Sequence, residues 1–388
     1  MIEIDNKAKC TGCEACVNVC PVNSIKMHTD EEGFRYPKID KKKCINCGKC
    51  EKVCSIYNEC NRNNGSEVFY AARLKNRDKL ETVSSGGAFM AIAKGINEMG
   101  GIVYGVRQKE IGEVFHSRAE TLEEIEFFRK SKYLQSRNKG CYRRVLDDLN
   151  NGKMVLYSGT GCQIAGLYLY LGKKYEKLYT CEVVCHGVPS ETVFKKYLTE
   201  TAGMRGKITE IIYRDKKYGW RNNHYKITYS NGHISYQSSE RNIFHKGYTN
   251  GLYYRPSCRN CKYAALPRIA DITLADFWKY KGVLDDGKND GISLVVCNNE
   301  KGKYMVEIAK EYLDIDEVNK KIAFNSCRHL INAPEFSVDR ERFFRRFYKF
   351  GFHFAYYSIM WRSIVDDIVK WRSAETRETN ERELNENK

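Results

Sequence analysis

Cys10-Thr11-Gly12-Cys13-Glu14-Ala15-Cys16-Val17-Asn18-Val19-Cys20-Pro21 opens the chain. Cys44-Ile45-Asn46-Cys47-Gly48-Lys49-Cys50-Glu51-Lys52-Val53-Cys54 repeats its spacing, with Ser55 where the first run has proline. Three thiolates two residues apart wrap one face of a cubane cluster, and a fourth after a longer gap points to a neighbouring cluster. The spacing therefore predicts two interlocked 4Fe–4S clusters. One is held by Cys10, Cys13, Cys16 and Cys54, the other by Cys44, Cys47, Cys50 and Cys20. Zinc also takes four thiolates, but zinc motifs rarely pair two such runs.

Working outward, Ile25 and Met27 alternate before an Asp-Glu-Glu-Gly turn, and Phe34, Tyr36 and Ile39 follow it, which predicts a hairpin between the runs. Residues 1–60 are thus expected to form a bacterial-type ferredoxin fold. The polar stretch 58–66 marks the boundary, with Cys60 as a bystander thiol. Residues 68–74 read as a strand. A helix follows, in which Phe89, Ile92, Ala93, Ile96 and Met99 recur with helical period; Ser84 or Ser85 is placed to cap it and Gly100 to close it. Strand, loop and helix then alternate twice. One unit is built around Gly159-Thr160-Gly161-Cys162-Gln163; in the other, Ser190 caps a helix over 191–200. That alternation predicts an α/β core. Residues 207–240 are richer in β pattern, with Asn231-Gly232 as a two-residue hairpin turn. Phe343, Phe347, Phe350, Phe354, Tyr357, Trp361, Ile364, Ile368 and Trp371 step by four and three, one amphipathic helix or two, bendable at Gly351 and ending in a polar tail. Packing on the α/β domain is its plain reading, and self-association, a protein partner or a membrane surface the other. The expected organisation is 1–60, 66–335 and 336–388.

The chain has 388 residues, too many for one small domain. No apolar run approaches the roughly 20 residues of a membrane span, and the N-terminus lacks an apolar leader. Seventeen cysteines, an odd number with cluster spacing, fit a reducing, cytoplasmic setting better than a disulfide scaffold. Cys141, Cys181, Cys297 and Cys327 are expected to be inert thiols. The formal charge of +16 would usually raise the question of nucleic acid. Bound 4Fe–4S clusters, at about −2 each with their thiolates, lower that charge. The remaining basic charge suits an acidic electron carrier such as a ferredoxin rather than nucleic acid.

Residues 84–92 (SSGGAFMAI), 130–136 (KSKYLQS), 157–167 (YSGTGCQIAGL), 181–190 (CEVVCHGVPS), 213–220 (YRDKKYGW), 255–263 (RPSCRNCKY) and 271–278 (DITLADFW) occur in this order. With them the chain resembles the coenzyme F420 hydrogenase/dehydrogenase beta-subunit family from about residue 68 to 335. The resemblance implies a flavin dinucleotide, FAD, and iron–sulfur clusters on an α/β domain behind the ferredoxin unit. Two departures stand out. Gly161 replaces the family's usual proline, which is expected to loosen that loop, and residues 275–279 read Ala-Asp-Phe-Trp-Lys instead of Gly-Asp-Phe-Trp-Gly.

Cys258-x2-Cys261 is a pair, and two ligands cannot complete a cluster. Cys162 and Cys185 each follow a strand, in loops that converge at one end of a parallel sheet. Together the four are expected to hold a third 4Fe–4S cluster, and they coincide with the family's motif cysteines; zinc or metal-free thiols are the competing readings. For the flavin implied by the resemblance, Ser84, Ser85, Gly86 and Gly87 offer a glycine-rich helix start suited to a pyrophosphate, or simply a cap. Lys132, Tyr133, Gln135 and Ser136, with Thr160 and Gln163, are assigned to the same ligand. His186, Arg214 and Asp215 are the candidate catalytic residues; a histidine tuning the cluster and an ordinary ion pair explain them equally. The expected activity is transfer of electrons from a ferredoxin-like donor to a flavin, for two-electron reduction of an organic substrate, with a sugar-linked acceptor as one option. Reduction or oxidation of coenzyme F420 and a non-enzymatic electron-transfer subunit are the alternatives.

Overall fold

The computed structural model describes residues 2–361. The described residues fall into two compact units, 2–336 and 337–361. In the first, α1 (Ala15–Val19) follows the first two cysteines and carries the third. The expected hairpin pairs β1 (Ile25–Thr29) with β2 (Arg35–Ile39) antiparallel, Met27 facing Pro37, and α2 (Lys49–Lys52) carries Cys50. The α/β part continues with β3 (Val68–Leu74), α3 (Ala88–Glu98), β4 (Ile102–Gln108), β5 (Val114–Ala119), α4 (Leu122–Ile125) and α5 (Cys141–Asn150). Then come β6 (Val155–Thr160), α6 (Gly161–Leu171), β7 (Leu178–Val183) and α7 (Glu191–Ala202). After them lie β8 (Ile208–Asp215), β9 (His224–Tyr229), β10 (Ile234–Ser238) and α8 (Ile243–Thr249). β11 (Ile272–Asp276), β12 (Ser293–Cys297), α9 (Glu300–Ala309), β13 (Leu313–Glu317) and α10 (Lys320–Ser326) close the unit.

Eight strands form one mixed sheet in the order β13-β3-β12-β11-β7-β6-β4-β5; the four neighbours β11, β7, β6 and β4 are mutually parallel. Along β6, Val155 and Tyr157 enter one apolar core and Leu156 another, the period-two alternation of a sheet buried on both faces. α3 and α9 supply the core on Leu156's side, and α5 and α6 the other. Ala15 and Val53 join the α5/α6 core, so the cysteine-rich N-terminal part packs on that face. The contact is polar as well. Asn18 Nδ2 donates to the Asn138 carbonyl at 3.0 Å, and Arg143 donates to the Cys20 carbonyl at 2.6 Å.

Three local expectations need correction. No side chain caps α3: Gly87, at φ 81°, is its cap, while the Ser85 hydroxyl donates to the Ile292 carbonyl at 2.7 Å and that of Ser84 lies 3.1 Å from Ser131 Oγ. The β9–β10 turn is Ser230-Asn231-Gly232, closed by the Tyr229 N–H on His233 at 2.9 Å. Only Gly232 has positive φ, so the turn is a three-residue loop and not a two-residue one. Gly161 starts α6 rather than a loosened loop. A Cβ there would lie 2.9 Å from Glu182 Oε2 and from Tyr263 Cβ, so close packing requires glycine.

In the second unit, α11 (Arg340–Phe350) buries Phe343, Phe344 and Phe347 and ends at Gly351 with φ 86°; residues 352–361 are again helical. The aromatic stripe is therefore carried by two helices that meet at Gly351, the second of the two forms the pattern allows. Ile364, Ile368, Trp371 and the polar tail lie outside the described residues. Among the described residues no helix is long and apolar enough to cross a membrane.

Candidate functional site

The ends of three parallel strands build the site. β6 and β7 pair with Thr160 opposite Val183, and β11 pairs with β7 at Leu274 opposite Val183. The residues just beyond lie side by side, as C-terminal ends of parallel strands do. Cys162 stands in the first turn of α6, not in a loop as expected; Cys185 stands in the loop between β7 and α7. Cys258 and Cys261 arrive on and just after the turn Pro256–Cys258. The four thiols lie close enough to act on one another. Burial, then repulsion by Cys261 and the other two, holds Cys162 well above the ordinary thiol range. Burial pushes Cys185 up to about 11 and Cys258 up to about 12, with Cys261 adding to each. Buried thiols that repel each other as thiolates form a donor set that a bound metal group would satisfy.

Cys10, Cys13, Cys16 and Cys54, the set assigned from spacing, line one small apolar-walled cavity with Ile2, Met27 and Pro37. Cys20 and Cys50 share an apolar core, while Cys44 is half-buried and Cys47 exposed. Cys20 Sγ accepts the Ser24 N–H at 3.2 Å.

α6 joins the first and third cysteine sets. A Cβ on Gly166 would stand 3.0 Å from Cys13 Sγ, so the helix that carries Cys162 rests on a cysteine of the N-terminal set. The Tyr142 hydroxyl lies 2.7 Å from the Gln163 carbonyl and 3.1 Å from the Cys13 carbonyl, bridging the two. Tyr263 feels both Cys162 and Cys13.

A cavity of about 420 Å³, within the range of small-molecule sites, opens beside Cys185. Ser84, Ser85 and Gly87 line it, as do Lys132, Tyr133, Gln135 and Ser136. Thr160, Gln163, His186 and Arg214 complete its set of sequence candidates. Gly86 and Asp215 are not in its wall. Gly86 is pressed against strand backbone, where a Cβ would clash with the Ala72 carbonyl, and its N–H donates to Ser293 Oγ at 2.9 Å. Asp215 accepts the Lys217 N–H at 3.0 Å instead.

The polar groups in the wall divide into those already committed and those left for a ligand. Gln163 Nε2 donates to Ser136 Oγ at 2.9 Å, and its Oε1 accepts the Thr160 N–H at 3.0 Å; Ser136 Oγ also meets His116 Nδ1 at 3.0 Å. These side chains brace the wall. Gln135 reaches out of it, donating to the Thr11 carbonyl at 2.8 Å. Gly87, Ala88 and Phe89 present an α3 N-terminus with no side-chain cap to the cavity, a geometry that attracts phosphate. Lys132 is committed too: its Nζ donates to the Arg129 carbonyl at 2.6 Å and the Phe127 carbonyl at 3.2 Å, and burial, then Arg129, pushes the ammonium down to about 7. Burial, then His329, pushes His186 down to about 4, so its imidazole is neutral near pH 7; the two rings lie 4.2 Å apart. Tyr133 stands against Tyr213, His245 and Tyr248, an aromatic wall.

Arg214 pairs not with Asp215 but with Asp276, at 2.5 and 2.8 Å, and Trp220 Nε1 donates to the same carboxylate at 2.9 Å. Asp276, Tyr248 and Lys130 belong to the cavity wall and were missed from the sequence. Asp276 and Lys130 lay within the quoted stretches 271–278 and 130–136; Tyr248 lay in none.

Comparison with known proteins adds the following. Residues 9–56 match the family model described as a 4Fe-4S dicluster domain. Residues 152–321 match the model for the carboxy-terminal part of the coenzyme F420 hydrogenase/dehydrogenase beta subunit. No curated protein matches the chain. A chain in a xenon-derivatised structure of the F420-reducing NiFe hydrogenase complex from Methanosarcina barkeri is similar at TM-score 0.45 and 16% identity, over 70% of this chain and 90% of that one.

Proposed function

From the premise that this is an iron–sulfur electron-transfer chain related to the F420 hydrogenase beta subunit, we propose that it is a flavin-dependent oxidoreductase with three 4Fe–4S clusters. The observation that supports the reading is the mutual proximity of Cys162, Cys185, Cys258 and Cys261, of which Cys185 lines the 420 Å³ cavity, with Gly166 and Tyr142 joining the Cys162 helix to Cys13. Cys10, Cys13, Cys16 and Cys54 would hold one cluster, Cys20, Cys44, Cys47 and Cys50 the second, and the four convergent cysteines the third. A flavin dinucleotide would occupy the cavity. When bound, clusters carry single electrons and a flavin exchanges two, the pairing a two-electron reduction of an organic acceptor requires.

The chain's own residues define what the cavity can do. The uncapped α3 start attracts a pyrophosphate, and Tyr133 offers an aromatic face to a planar ring. Arg214, fixed by Asp276, whose carboxylate also accepts from Trp220 Nε1, holds its charge in the wall without free rotation. Neutral His186 can donate or accept a hydrogen bond beside Cys185. The donor is a low-potential one-electron carrier such as a ferredoxin.

The test is turnover of the isolated chain. It is reduced anaerobically, then offered F420 or sugar-linked acceptors while flavin absorbance is followed. Acceptor-dependent reoxidation identifies the substrate class. No reoxidation without a partner protein favours an electron-transfer subunit that meets no substrate.

A further inference from the structure

Arg255 is fully buried, and no carboxylate pairs with it among the described residues. Its guanidinium spends its hydrogen bonds on neutral or sulfur acceptors. Nε donates to the Cys10 carbonyl at 2.9 Å, and Nη2 to the Arg35 carbonyl at 2.9 Å. Nη1 reaches Gln135 Oε1 at 3.3 Å, and Nη2 lies 3.8 Å from Cys10 Sγ. The Tyr36 ring packs 4.4 Å from it. The nearby cation, Arg35, is already taken by Glu14 at 2.7 Å, so it adds repulsion and no relief. A buried, unpaired charge is among the costliest features a fold can carry. An anion has to stand beside it.

The two cysteine runs are sequence repeats, yet only one receives this cation. In the first, Gly12 at φ 70° lies under the guanidinium, where a Cβ would stand 3.0 Å from Arg255 Nη1. In the second, the equivalent Asn46 and its neighbour Ile45 are exposed. The asymmetry comes from the α/β part of the chain. Arg255 sits in the turn of the third cysteine set: its N–H donates to the Val188 carbonyl at 2.8 Å, and its carbonyl accepts the Cys258 N–H at 2.9 Å.

We infer that Arg255 is a positioning and tuning residue whose buried charge raises the reduction potential of the cluster held by Cys10, Cys13, Cys16 and Cys54. The inference rests on the cluster assignment above. Reduction adds one negative charge to the cluster, and a fixed cation beside a ligand sulfur stabilises the reduced state more than the oxidised one. The same hydrogen-bonding and charge terms tune cluster potentials generally. One residue thereby fixes the third set's turn in space and biases the first set's electron occupancy.

The test is an EPR-monitored redox titration of the full chain, with iron quantified, comparing wild type, Arg255→Gln and Arg255→Lys. The expected result is that one midpoint falls in Arg255→Gln by about tenfold or more in the reduced-to-oxidised ratio, equivalent to about 59 mV for one electron. Arg255→Lys, which keeps the charge, is expected to stay near wild type. Iron loss in Arg255→Gln with full loading of Arg255→Lys also supports the charge requirement. Three results overturn the inference: Arg255→Gln fully loaded with unshifted midpoints, both variants shifted equally, or both emptied of iron. Absence of ferredoxin-type midpoints in wild type would instead contradict the proposed function itself.

Discussion

Gly166 offers the sharpest mutational probe of the junction between the N-terminal cysteines and α6. It lies inside a helix, where glycine costs about 0.8–1 kcal/mol relative to alanine. Propensity alone therefore predicts that Gly166→Ala stabilises the chain by about 1 kcal/mol. The structure predicts the opposite sign. A Cβ there would stand 3.0 Å from both Cβ and Sγ of Cys13 and 3.1 Å from the Tyr142 hydroxyl. Cys13 must yield by a few tenths of an ångström, and overpacking of this kind costs about 1–3 kcal/mol. The net for Gly166→Ala is a loss of about 0–2 kcal/mol with iron retained. Gly166→Leu adds three more carbons to the same contact and is expected to expel Cys13 from its set, removing about four irons per chain. The assay is anaerobic denaturant unfolding with iron determination on each variant. A Gly166→Ala chain more stable by the full propensity gain, or a Gly166→Leu chain with all its iron, would refute the packing of α6 on Cys13.

Two further outcomes are expected. Asp276→Asn leaves the Arg214 guanidinium buried without its carboxylate and should cost about 3–5 kcal/mol in unfolding free energy, whereas removing both partners should cost less; a double-mutant cycle measures the coupling. Lys132 titrates near pH 7 in the fold and at 10.5 in the unfolded chain. Below about pH 7 both states are protonated and the burial penalty is fully present; as pH rises towards 10.5 the unfolded chain binds more protons, so stability rises. Lys132→Met removes this term, so its stability relative to wild type should be highest near pH 6 and fall by pH 9 in parallel unfolding series.

The eight N-terminal cysteines were legible because cluster geometry forces a local spacing, and local spacing is what a sequence displays. Cys258 and Cys261 were legible as an incomplete pair for the same reason. The placement of Cys162 and Cys185 near one another followed from the rule that parallel strand ends converge, although Cys162 lies in a helix turn. What escaped were partners set by tertiary packing. Arg255 meets Cys10 across 245 positions, and Arg214 chooses Asp276 over its own neighbour Asp215. Ser84 and Ser85 looked like caps, but β12 and the segment entering it recruit Ser85 and Gly86, Ser131 takes Ser84, and a glycine does the capping. Gly161 looked like the loss of a stiffening proline. Glu182 and Tyr263 explain it, and both are visible only once β7 and the Cys261 segment are folded against α6.

The most direct measurement of the central claim is anaerobic purification of the full chain with iron and flavin quantified together. Three cysteine sets and one cavity predict about 12 irons and one flavin dinucleotide per chain. About 8 irons and no flavin would leave the two N-terminal clusters intact and contradict both the third cluster and the flavin site beside Cys185.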